Sequence, residues 1–173
     1  MASSIPQVII GFTFLALLSS LQLSIVMGDD NLIIQTCKHT QIFKLCLSTL
    51  QSDPRSKSED VAGLGLIVVD AIKKNINVGI NQIKLLQHSS PRLIKPLSSC
   101  LDNYEFVLSD LVPETEQAIR GVPKFAEDGM VGTAQVADSC KSAFGSSVSP
   151  ICALNTRIRD LAVVARAIIR NLL

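Results

Sequence analysis

Ser149 to Leu173 reads SPICALNTRIRDLAVVARAIIRNLL. Its apolar residues fall at Ile151, Leu154, Ile158, Leu161, Ala165, Ile168 and Leu172. Steps of three and four alternate without a break, the pattern of a helix laid along a bundle seam. Ser149 is placed to cap this helix and Pro150 to open it. The same spacing recurs upstream. Leu64, Val68, Ile72, Ile76, Ile80 and Ile83 mark one face of a long helix over about Glu59–Gln87. Ser56 and Glu59, three residues apart, have the form of a capping box at its start. Leu97, Cys100, Tyr104, Val107 and Leu111 stripe a second helix over about Pro96–Arg120, with a kink expected at Pro113. A loop carrying Pro123 leads to a third helix, from about Phe125 or Met130 to Phe144. Two short helical pieces, about Asn31–Gln41 and Phe43–Leu50, come before them all. Strand alternation of any length is absent. The expectation is an all-α fold: an up-down four-helix bundle over 59–173, preceded by an N-terminal helical hairpin over 31–50.

The amino end is of another kind. No charged side chain precedes Asp29, and Val8–Leu23 is the apolar run VIIGFTFLALLSSLQL. Residues 1–28 are expected to be a cleaved secretory signal, leaving one domain over 29–173. All 16 Lys and Arg and all 15 Asp and Glu lie in that domain. So balanced a charge gives neither nucleic acid nor an anionic membrane a source of attraction. No Asn-x-Ser/Thr sequon occurs.

Five cysteines, Cys37, Cys46, Cys100, Cys140 and Cys152, would meet oxidising conditions on export. A Cys37–Cys46 bridge would staple the hairpin, and a Cys100–Cys140 bridge would join two bundle stripes. In the chain-entropy model these contribute about 3 and about 4 kcal/mol. Five cysteines allow fifteen ways of making two bridges, so spacing alone leaves the pairing open. Cys152 is then a free thiol, expected to be buried beside the last seam.

Catalytic patterns are missing. There is no GxSxG, HExxH or phosphate-binding glycine loop. Glu59-Asp60 and Glu127-Asp128 are adjacent carboxylates, which diverge by about 100° on a helix and read as solvated faces or favourable helix starts. Gly129-Met130-Val131-Gly132 reads as a flexible turn or loose helix start. His39 and His88 are far apart and read as surface residues, and no CxxC spacing suggests a metal. No cofactor, metal or catalytic residue is expected, so a binding protein suits the chain better than an enzyme.

The Cys37-(eight residues)-Cys46 start, the Cys100 and Cys140 pair, the segment PKFAEDGMVG (Pro123–Gly132) and the ending RAIIRNLL (Arg166–Leu173) together resemble the plant invertase and pectin methylesterase inhibitor family. The resemblance spans nearly the whole domain, and the PKF segment points to the invertase branch. It implies a four-helix bundle with an N-terminal hairpin and bridges like those above, with Cys152 as an extra thiol. It also implies a monomer that forms a 1:1 complex with a plant acid invertase, a glycoside hydrolase acting on sucrose. Inhibition of pectin methylesterase is the alternative. Secretion to the apoplast or cell wall follows, with the vacuole as a second destination. The resemblance further implies that Pro123, Lys124 and Phe125 form an inhibitory loop entering the enzyme's substrate cleft. Lys124 would approach the catalytic carboxylates, Phe125 would fill part of the sugar pocket, and Pro123 would hold the shape. Taken alone, that tripeptide is an ordinary helix start.

Overall fold

The computed structural model describes residues 30–173; the expected leader, 1–28, lies outside the described residues. Helix α1 covers residues 30–38, and α2 (Phe43–Gln51) folds back beside it. A disulfide between Cys37 and Cys46, with Cα atoms 5.6 Å apart, closes this hairpin. One 3-10 turn, Pro54–Ser58, leads to α3 (Val61–Ser89). The remaining helices are α4 (Ile94–Phe106), α5 (Val112–Ala118), α6 (Pro123–Ala143) and α7 (Cys152–Arg170).

A π-helical segment, Val107–Leu111, joins α4 to α5, so the two form one continuous rod. The expected kink at Pro113 takes this form. Proline has no N–H to give and its ring crowds the carbonyl four residues back. The widened turn absorbs that misfit, with the Val112 N–H reaching the Val107 carbonyl instead. Four rods thus make the bundle. The α4–α5 rod packs on α3 and α6, and α7 closes the ring by packing on α6 and α3. The hairpin sits over α3 and α7.

The seam anticipated in the last helix faces the core. Ile151, Ile158, Leu161, Ala165 and Ile168 are all buried, against Leu64, Val68, Ile72 and Ile76 of α3. A polar thread crosses this interior. Tyr104 donates its hydroxyl to Asn155 Oδ1 at 2.9 Å, and Asn155 Nδ2 donates to the Ala137 carbonyl at 2.8 Å. It ties α4, α7 and α6 with every buried polar atom in it paired. The Cys100–Cys140 disulfide joins α4 to α6 at a Cα separation of 4.7 Å.

Several boundaries differ from the sequence expectation. Helix α3 starts at Val61 with Asp60 as its cap, accepting from Gly63 N at 2.8 Å. Ser56 is buried and donates to the Leu50 carbonyl at 2.7 Å, so the Ser56–Glu59 capping box does not form. Asp60 wins because it stands directly before the helix, where its carboxylate also meets Arg120 at 2.8 Å. Helix α7 begins two residues after Pro150, with Ser149 Oγ accepting from Ile151 N at 3.3 Å. The α6–α7 turn needs a left-handed residue, and Gly145 (φ 57°) supplies it. Cys152 is exposed, not buried: one step from the Ile151 seam position turns its side chain outward.

Candidate functional site

Pro123, Lys124 and Phe125 do not form a loop. They are the first turn of α6. The reason is local. Pro123 at the first helical position has its φ already set and no N–H to leave unpaired. The preceding turn is closed by Val122 N donating to the Ala118 carbonyl at 2.8 Å, and Phe125 N donates to the Val122 carbonyl at 2.9 Å. Helix order therefore reaches the tripeptide itself.

Lys124 sits where the helix macrodipole opposes a cation. Two carboxylates of its own helix offset this. Lys124 Nζ lies 3.0 Å from Glu127 Oε2 and 2.8 Å from Asp128 Oδ1, the i,i+3 and i,i+4 partners. These two, Asp128 foremost, raise the ammonium's pKa, so Lys124 is firmly cationic. Its side chain remains 60% exposed.

The partners differ. Asp128 stands in solvent, whereas Glu127 is only 4% exposed. Helix α7 covers Glu127 and supplies two further cations: Arg166 Nε at 3.1 Å and Arg170 Nε at 3.5 Å, both on Oε1. One carboxylate thus holds Lys124 on one oxygen and two guanidinium groups on the other. The Lys124 hydrogen bond holds the Glu127 carboxyl below its usual range; loss of water pulls the other way, and Arg166 adds to the lowering.

Phe125 is 66% exposed, so it is not a core anchor. It and Val122 form the rim of a groove of about 590 Å³ between α5 and α6, floored by Leu111, Ala118 and Gly129. Ala126 and, one turn further on, Met130 are buried and seat this end of the helix on the core. The Gly129-Met130-Val131-Gly132 stretch is interior helix, not a turn. Gly129 is required by close approach: a Cβ there would run into Thr115 Oγ1 and lie 3.2 Å from the Leu111 carbonyl. Thr115 itself donates to that carbonyl at 2.7 Å.

Other positions fall out as follows. Glu59-Asp60 is a helix start, and His39 and His88 are exposed and belong to different elements. Sequence reasoning took Glu127 for a solvated or helix-start residue and gave Arg166 and Arg170 no role. The signal for the first was available, since Lys124 precedes Glu127 and Asp128 by three and four residues. It becomes visible only if the helix is taken to include Pro123.

Among the described residues, no helix is long and apolar enough to cross a membrane. Residues 31–168 match the family model described as plant invertase/pectin methylesterase inhibitor. The chain is 39% identical over 144 residues to the cell wall / vacuolar inhibitor of fructosidase 1 of Arabidopsis thaliana, covering 83% of this chain and 70% of that protein. It is 33% identical over 88 residues to the pectinesterase inhibitor of Actinidia deliciosa, covering 50% and 48%. A crystal structure of a mutant pectin methylesterase inhibitor from Arabidopsis shares the fold, with a TM-score of 0.66 at 18% identity over 78% of this chain and 92% of that one. By its cysteine framework, its bundle and a match over most of its length, this chain belongs to the plant invertase/pectin methylesterase inhibitor family.

Proposed function

We propose that this chain is not an enzyme but a protein inhibitor of plant acid invertase, exported through the leader at residues 1–28 and acting in the cell wall or vacuole. The observation that carries this reading is the first turn of α6. There a firmly charged Lys124 and an exposed Phe125 stand side by side on a helix that a disulfide ties to its neighbour. Glycosidase clefts present paired carboxylates. An ammonium brought against them gains charge-assisted hydrogen bonds in a place that water has left. An adjacent aromatic supplies buried area, as binding hot spots do. A helical first turn loses little freedom on binding, which favours it over a loop of the same sequence. One such turn per chain gives a 1:1 complex. Lys124 would exchange Asp128 for the enzyme's carboxylates, and protonating those carboxylates at low pH weakens the complex.

Titrating purified cell-wall and vacuolar invertases with residues 29–173 tests the reading. Stoichiometric loss of sucrose hydrolysis is expected, abolished by Lys124→Ala with Phe125→Ala in a chain that keeps its helical spectrum. Full inhibition by that double variant would overturn the assignment. The similarity to a pectinesterase inhibitor favours a second reading, in which pectin methylesterase is the target. That match covers less of the chain than the match to the fructosidase inhibitor. Pectin methylesterase assayed with the same sample separates the two.

A further inference from the structure

We propose that Arg166 and Arg170 form a second contact with the enzyme, a docking groove for carboxylates at the rim of the cleft that Lys124 enters. The proposal rests on the inhibitor reading above and extends it from the plug to a neighbouring surface. The two arginines lie four residues apart on α7, one turn above the other. Both direct Nε at the same oxygen of Glu127, at 3.1 and 3.5 Å. That use of Nε leaves the Nη1–Nη2 edge of each guanidinium available. Among the described residues neither edge donates a hydrogen bond, while the side chains are 44% and 62% exposed.

Both arginines line a groove of about 380 Å³ between the tail of α7 and the turn of the hairpin. His39, Gln41 and Asn171 complete its polar lining, and no carboxylate is among its lining residues. A concavity that offers two guanidinium edges, an imidazole and two amides suits an anion with planar oxygens, and guanidinium matches a carboxylate in two-point geometry. Glu127 fixes the groove relative to the plug, because its other oxygen holds Lys124 at 3.0 Å. The local face carries three cations, Lys124, Arg166 and Arg170, against two carboxylates, Glu127 and Asp128. An enzyme that admits Lys124 brings its rim against this face. Acidic side chains on that rim are the complementary occupant, acting mainly on the association rate and its salt dependence.

The test measures association of the chain with purified acid invertase by surface plasmon resonance at several salt concentrations, alongside residual sucrose hydrolysis. Two variants are compared with wild type. Arg166→Gln with Arg170→Gln removes the forks but also strips Glu127 of partners. Gln41→Glu puts a negative charge into the groove at an exposed side chain, away from Glu127. Each is expected to slow association by about tenfold at low salt, with wild type converging on the variants as salt screens the groove. Association by Gln41→Glu at the wild-type rate with the wild-type salt slope overturns the groove and leaves the plug standing. A wild-type chain that inhibits no acid invertase overturns both readings together.

Discussion

Replacing Glu127 by glutamine removes the charge on which three cations converge while keeping the side chain's size. The magnitude follows from the geometry. Breaking a fully buried ion pair costs 3–5 kcal/mol. A pair exposed on both sides contributes at most about 1 kcal/mol. Here the carboxylate is buried and its cations are half in water, so about 2 kcal/mol is expected at neutral pH. Unfolding entropy near the melting point is about 2.1 cal/mol/K per residue, or roughly 0.3 kcal/mol per kelvin for about 145 residues. Tm should therefore fall by about 7 °C. The pH dependence fixes the cause. Glu127 is held below the usual glutamate range, so its contribution is complete above that range and is lost as pH falls through the lowered value. Differential scanning calorimetry of wild type and Glu127→Gln should show a constant gap from pH 7 to about 5. The gap should narrow only as pH falls below the ordinary glutamate range and through the lowered value, where the wild-type carboxyl takes up its proton. A gap that widens as pH falls below the ordinary glutamate range, or none at pH 7, refutes the argument that charge at this buried carboxylate ties α6 to α7.

Three further outcomes are expected. Gly129→Ala should destabilise by about 1–3 kcal/mol in urea melts, since the new methyl meets Thr115 Oγ1 and a backbone carbonyl that cannot withdraw. Tyr104→Phe should cost about 1–3 kcal/mol, because Asn155 Oδ1 is left buried without its donor; a midpoint equal to wild type would show the thread contributes nothing. Cys152→Ser should leave stability within about 0.5 kcal/mol of wild type, as its side chain is exposed, and should remove any dimer seen on a non-reducing gel.

The bundle was legible in the sequence because its evidence is periodic and local. Each stripe, from Leu64 to Ile83 and from Ile151 to Ile168, repeats a spacing that only a helix face explains, and all of those residues but the half-buried Leu154 are buried. The bridges were legible as possibilities because Cys100 and Cys140 lie on such stripes. The site was harder to read. Pro123 fits either a loop or the first position of a helix, where it costs nothing, and the sequence alone does not choose between them. Only the helical reading brings Lys124 to Glu127 and Asp128. The role of Arg166 and Arg170 was beyond local reading altogether, since they meet Glu127 across 39 and 43 residues of chain. Nothing in the spacing of either segment announces the other. Cys152 stands a single step along the helix from Ile151, the difference between the seam and its flank.

The first turn of α6 divides its labour by side. Ala126 and, one turn further on, Met130 are buried, while Val122 and Phe125 stand largely in water and Lys124, also exposed, bonds Glu127 and Asp128. Val122 and Phe125 can be rewritten with little effect on the bundle, whereas a change at Lys124 also removes one of the three cations on Glu127. Relatives on this fold carry the names of inhibitors of two different enzymes. An architecture whose exposed first turn carries so little of the core lends itself to retargeting: new side chains set at Val122 and Phe125 can be selected for other clefts, with the two crosslinks holding the scaffold.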